Sequence, residues 1–271
     1  MKSHRITGAA SAVALALTLA LGGAGAAQAA PEGASPGAAP SYVALGDSYS
    51  SGVGAGSYQS SSGDCKRSDK AYPALWSAAH RPASFAFTAC SGARTGDVLS
   101  KQLAPLTPTT GLVSISVGGN DAGFADAMST CVLNSDSVCL DRIATASAFI
   151  RDELPAKLDA VYSAISARSP KARVVVLGYP RFYKLDAVCV GLSEAKRKAI
   201  NNAADLLDSV TAKRAADHGF AFGDVNTTFA GHELCSGSPW LRSVTLPVDE
   251  SYHPTAAGQS GGYLPVFSSV A

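Results

Sequence analysis

Short apolar runs rich in β-branched residues alternate along the chain with longer stretches whose apolar positions recur about every 3.6 residues. Residues 41–46 read as a first strand. Residues 72–80 suit a helix with Pro73 in its first turn. Residues 85–89 read as a second strand and 96–104 as a helix. Residues 112–117 form a third strand, ended by Gly118 and Gly119. Residues 140–168 carry helical spacing, with Pro155 as a kink or break. Residues 173–178 make a fourth strand between Pro170 and Pro180. Residues 193–217 predict a long amphipathic helix, with Ser193 as its N-cap and Gly219 past its end. Residues 220–222 are a short fifth strand, and a last helix begins near Pro254.

This alternation implies parallel strands joined by right-handed crossovers. The expected fold is α/β: a three-layer α/β/α sandwich around a parallel sheet of about five strands. Ligands in such sheets bind beyond the carboxyl ends of the strands. Ser48 and Asn120 both fall at such ends.

The first residues break the pattern. Lys2 and Arg5 precede an apolar stretch from Ala9 to about Leu21, and small residues follow as far as Ala27-Gln28-Ala29. This is the layout of a secretory signal peptide over 1–29, cleaved after Ala29. The apolar run is short for a membrane span. Residues 30–40 are rich in Pro, Gly and Ala and read as a disordered lead-in. Residues 41–271 are then expected to form one secreted, extracellular domain.

The full chain carries 22 Lys+Arg and 21 Asp+Glu. Without Lys2 and Arg5 the balance is slightly acidic, and no dense basic patch appears. The electrostatic footprint of a nucleic-acid binder is therefore missing. Cys65, Cys90, Cys131, Cys139, Cys189 and Cys235 all lie beyond the leader. An even count in an exported chain suggests disulfides. The simplest pairing is sequential: Cys65–Cys90, Cys131–Cys139 and Cys189–Cys235. No C-x-x-C or H-x-x-x-H spacing occurs, so no metal site is expected.

Ser48 stands in Gly46-Asp47-Ser48-Tyr49, at the end of the first strand. A serine hydroxyl becomes a nucleophile when a base takes its proton. His80, His218 and His232 sit near helix ends or in a cysteine-bearing loop and read as structural. His253 is the candidate base, in the polar loop Asp249-Glu250-Ser251-Tyr252-His253-Pro254. The group that orients it is either the Glu250 carboxylate or the Ser251 backbone carbonyl. Ester chemistry also needs donors aimed at an oxyanion. The backbone N–H of Gly92, in Ser91-Gly92-Ala93, is one candidate. The Asn120 side chain, in Gly118-Gly119-Asn120-Asp121, is another, and the Ser48 N–H a third. Asp47 and Asp121 read as turn-stabilising residues, and Arg94 as a surface or structural ion pair. The Gly258-Gln259-Ser260-Gly261-Gly262 run fits a nucleophile elbow, but it follows no strand and no histidine lies after it. The glycines from Gly52 to Gly56 lack a phosphate-loop ending and read as a mobile loop beside the site.

Taken in order, the four segments around Ser48, Gly92, Asn120 and His253 resemble the SGNH hydrolases, or GDSL esterase/lipase family. The likeness is nearer to the secreted, three-disulfide lipases and phospholipases A1 of actinomycetes. It implies a flavodoxin-like fold and ester hydrolysis through an acyl-Ser48 intermediate. It further implies His253 as base, and an oxyanion hole from Ser48, Gly92 and Asn120. The broader family has Asp three residues before the histidine, where this chain has Glu250. In some relatives a backbone carbonyl two residues before it serves instead, here that of Ser251, and we favour that carbonyl. The resemblance implies no metal or organic cofactor. Expected substrates are lipids or other acyl esters, met by a monomer with at most transient contact with a lipid interface. A carbohydrate-ester deacetylase is the alternative enzyme on the same scaffold, and a non-catalytic binding protein is the alternative of another class.

Overall fold

The computed structural model describes residues 39–271. The expected signal peptide and most of the lead-in lie outside the described residues. In chain order come β1 (Ser41–Ala44), α1 (Ser48–Ser51), α2 (Tyr72–His80), β2 (Phe85–Phe87) and α3 (Thr95–Asp97). Then follow β3 (Thr110–Ile115), α4 (Phe124–Leu133), α5 (Asp136–Asp152), α6 (Leu154–Arg168) and β4 (Arg173–Leu177). The chain ends with α7 (Glu194–Asp217), β5 (Ala221–Gly223), α8 (Asn226–Phe229) and α9 (Leu264–Val270).

The five strands form one sheet in the order β2-β1-β3-β4-β5. Every pairing is parallel, with Val43 opposite Val113 and Val113 opposite Val174. The central strands β1, β3 and β4 are buried along most of their length. This explains why β1 and β4 read as apolar runs rather than as alternating ones, while the buried Ser114 of β3 has its hydroxyl bonded to Tyr42. The edge strands β2 and β5 are three residues each and half-buried, and short edges resist pairing with other chains. Helices cover both faces, as expected: α2 packs with α9 on one side, and α5, α6 and α7 pack together on the other. Connections run outward in opposite directions from β1 and β3, which are neighbours. The crevice between their carboxyl ends is the topological switch point of this strand order.

Local signals account for the helix limits. Ser193 accepts the Lys196 N–H and caps α7. Pro155 does not merely kink the 140–168 stretch. It starts a new helix, α6, in whose first turn its missing N–H leaves no bond unmade. Two differences stand out from the sequence pattern. Helix α4 was not expected; it starts after Gly123 at φ 77° with no side-chain cap, so its beginning carries no usual signal. Residues 98–102 form a π-helical turn after α3, where a regular helix was expected.

The three disulfides pair sequentially, Cys65–Cys90, Cys131–Cys139 and Cys189–Cys235. On one face, the Tyr42 ring packs against Trp76, Phe85 and Phe267, joining β1 to β2, α2 and α9. On the other, Leu154, Leu158 and Ile165 of α6 are fully buried. Leu158→Ala should cost about 2–5 kcal/mol. Denaturant midpoints at unchanged m-value would measure it.

Candidate active site

The backbone ladder of β1 runs on past its last regular residue. Leu45 N–H donates to Ser114 O and Asp47 N–H to Ser116 O, both at 2.9 Å. This delivers the chain to Ser48 at the end of a buried strand. Gly46 makes the turn possible. It sits at φ 123°, and a Cβ there would come within 2.5 Å of Ser116 O. The Gln102 side chain grips the same residue twice, accepting from its N–H at 2.7 Å and donating to its carbonyl at 2.8 Å.

Asp47 follows and caps the short helix α1. Its carboxylate accepts from Tyr49 N–H (3.0 Å), the Ser116 hydroxyl (2.7 Å) and the Tyr179 hydroxyl (2.5 Å). Burial pushes this carboxyl up to about 6, against the downward pull of those donors and of the Ser50 N–H. Asp47 thus does more than hold its own turn, as the sequence suggested. Tyr179, at the end of β4, also accepts the Gly119 N–H at 3.3 Å, so one hydroxyl joins the first and third strand ends.

His253 meets Ser48 from the far end of the sequence. Its Nε2 lies 2.7 Å from Ser48 Oγ, and its Nδ1 lies 3.0 Å from the Ser251 carbonyl oxygen. A carbonyl only accepts, so Nδ1 carries the proton and Nε2 is left to accept from the serine hydroxyl. Ser48 and His253 are 6% and 8% exposed, so only a small part of each is open to a substrate. Burial pushes the imidazole down to about 4, opposed chiefly by the bond to Ser251.

Glu250 faces elsewhere. It accepts from the Tyr58 hydroxyl at 2.8 Å and pairs with Arg242 at 3.4 Å. Tyr58 and Arg242 in turn hold the N–H and carbonyl of Gly54. Gly54 lies so near His253 that a Cβ would come within 2.9 Å of the histidine Cβ. The glycine run was expected to be a mobile loop. It is instead buried through Ala55, because this clamp presses it under the histidine.

Gly92 adopts φ 74°, with open space where a side chain would stand. Among the described residues, its N–H and that of Ser48 have no hydrogen-bond partner. Asn120 donates one amide hydrogen to Ala93 O at 3.0 Å, and its second remains for another acceptor. Asp121 accepts from both the N–H and the hydroxyl of Thr95, at 3.0 and 2.6 Å. The Gly92 and Asn120 turns are therefore tied together on two strand ends. Beside them a cavity of ≈60 Å³ opens at Ser48 and Asn120 and runs between α4, α5 and α7. Phe124, Met128, Ile143, Ile150 and Leu207 make its walls apolar.

Comparison with known proteins fits this geometry. The profile of the GDSL-like Lipase/Acylhydrolase family matches residues 44–260. The chain belongs to that family. It is a carboxylic-ester hydrolase. The hydrolase is 68% identical to Lipase 1 of Streptomyces coelicolor over 100% of both chains. The crystal structure of an extracellular lipase from Streptomyces rimosus is 72% identical, with TM-score 0.85 over 86% of this chain and 100% of that one. The phospholipase A1 structure from Streptomyces albidoflavus is 65% identical, with the same TM-score and coverage.

The other motifs of the hydrolase are structural. His80 stacks on Trp76, His232 stacks on Trp240, and His218 contacts Asp159 at 3.1 Å. Ser260 is exposed within a π-helical turn and follows no strand. Arg94 is exposed and, among the described residues, forms no ion pair, which differs from the pairing expected of it. Gln102, Ser116, Tyr179, Thr95 and Tyr58 escaped the sequence reading, since each acts through a long-range contact. The pH profile follows from the site. A base acts in its neutral form, and the depressed His253 stays neutral below the usual 6.5. The acid limb of kcat/KM should therefore fall between about 4 and about 6, the latter being where Asp47 takes up a proton. An acid limb at 6.5 or above would contradict this.

Proposed function

We propose that the chain is a secreted lipase or esterase that cleaves acyl esters of lipids through an acyl-Ser48 intermediate. The observation that carries this reading is the Ser48–His253–Ser251 hydrogen-bond series at the mouth of the apolar cavity. His253 removes the Ser48 proton as the hydroxyl attacks the ester carbonyl, then gives it to the leaving alcohol. It next takes a proton from water, which attacks the acyl-enzyme and releases the acid. The N–H groups of Ser48 and Gly92 and the Asn120 amide receive the oxyanion. The Ser251 carbonyl keeps the proton on Nδ1, and the Glu250 carboxylate acts on His253 through the Gly54 clamp. No step uses a metal or organic cofactor.

The cavity walls favour an acyl chain of several carbons. An acetyl group, as in a carbohydrate ester, would leave most of that apolar surface unfilled. Residues 1–29 act as a signal peptide, 30–40 as a lead-in and 41–271 as a single monomeric domain. The Streptomyces albidoflavus relative is a phospholipase A1, and its likeness extends the reading to glycerophospholipids.

Two sets of variants test the roles. Ser48→Ala and His253→Ala should each lower kcat on p-nitrophenyl esters by at least about 10⁴-fold, as members of a catalytic unit do. Residual activity near wild type in Ser48→Ala would remove the acyl-enzyme. Glu250→Gln should cost roughly ten-fold or less, the scale of one lost contact of about 1 kcal/mol. A loss near that of His253→Ala would return the third role to the carboxylate.

A further inference from the structure

A second recess, of ≈300 Å³, adjoins the Gly92 turn. Arg67, Ser91, Gly92, Asp97, Lys101 and Gln102 contribute to its lining, and the Cys65–Cys90 disulfide forms another part of its wall. Its charges are uneven. Lys101 is paired with Asp97 at 2.8 Å, so those two balance. Among the described residues, Arg67 has no such partner.

Among the described residues, the other buried or partly buried arginines are matched with acids: Arg142 with Asp126, Arg197 with Glu194, Arg214 with Asp159, and Arg242 with Glu250. Among the described residues, the Arg67 guanidinium makes one long hydrogen bond, to Ala89 O at 3.5 Å. A guanidinium has five N–H donors, and most of these are unused. Burial without a compensating anion pulls its pKa down. The main chain of Arg67 is held in place. Arg67 N–H donates to Ser62 Oγ at 3.1 Å, and its carbonyl accepts from Gln59 N–H at 2.8 Å. A partly desolvated arginine with free donors that lines a recess is matched by a planar or tetrahedral anion.

The position of the recess selects the anion. Gly92 belongs both to its lining and to the proposed oxyanion hole. In a glycerophospholipid, only the short glycerol unit separates the ester carbonyl from the phosphate. A phosphate tied to the scissile ester therefore reaches a recess that adjoins the carbonyl position. We propose that the Arg67 recess is a phosphate subsite, holding the phosphodiester of a glycerophospholipid while its acyl ester lies at Ser48. Ser91 also lines the recess and brings a hydroxyl to it. This assignment rests on the proposed acyl-ester hydrolysis and gives the phosphate of a glycerophospholipid a site.

The test compares a short-chain diacyl phosphatidylglycerol with the diacylglycerol of the same chains. Arg67→Gln should lower the ratio of kcat/KM for the phospholipid to that for the neutral lipid by about ten-fold, the scale of one charge-assisted contact. The loss should lie mainly in KM, and Arg67→Lys should recover part of the ratio. An unchanged ratio would overturn the subsite. If Arg67→Gln fails to fold, Arg67→Lys carries the comparison, since it keeps the charge but not the fork, and should still lower the ratio. Glycerol 3-phosphate should inhibit diacylglycerol hydrolysis by the wild type more strongly than inorganic phosphate does. Equal inhibition by the two would make the recess a site for free phosphate and overturn the head-group assignment. Persistent hydrolysis of both lipids by Ser48→Ala would instead sink the ester-hydrolase mechanism, and leaves the ratio to be read separately.

Discussion

The buried carboxylate of Asp47 sets the geometry of everything around it. A carboxylate taken out of water needs its lone pairs filled. Here the donors come from three strand ends: Tyr49 and Ser50 N–H beyond β1, Ser116 beyond β3, and Tyr179 beyond β4. One acid thus fixes the helix that begins at Ser48 and the turn that leads to Asn120. A neutral group there would leave several donors unpaired, so the burial is worthwhile only as a complete set. The sheet supplies strand ends at the right spacing, and this acid makes them a single rigid object.

The histidine side follows a different logic. A carbonyl from Ser251 fixes the tautomer of His253, but it brings no negative charge to the imidazolium that forms during reaction. Asp249 favours the protonated ring from a distance, and Lys66, its ion-pair partner, opposes it. The ring therefore rests neutral and ready to accept a proton. Tight packing substitutes for charge in holding it: Gly54 beneath it, and Tyr49 tilted against it at 5.2 Å.

Much of this was legible in the residues, for identifiable reasons. The central strands announced themselves because buried parallel strands are mostly apolar, and Ser193 and Pro155 marked helix starts by local chemistry. Ser48, Gly92, Asn120 and His253 stood in short motifs whose order is distinctive. What stayed hidden was long-range. Nothing near Tyr179 or Gln102 in the sequence points to Gly119 or Gly46, more than fifty positions away. Helix α4 lacked a capping residue and so lacked its usual flag. The glycine run at Gly52–Gly56 looked loose because glycine permits freedom, but here it permits close approach. The Ser251 carbonyl was favoured only through the resemblance, since a carbonyl leaves no trace in the sequence and the residues alone left Glu250 open.

The Ser251 acceptor has an evolutionary side. The acceptor at position 251 belongs to the main chain, and every amino acid brings one. A codon change at this position alters the side chain and leaves the acceptor in place. The fragile element is conformational instead: Tyr252 is held at φ 66°, with its carbonyl bound by the Tyr49 hydroxyl at 2.7 Å. Genetic drift in this loop would therefore be filtered by shape at position 252 rather than by chemistry at position 251.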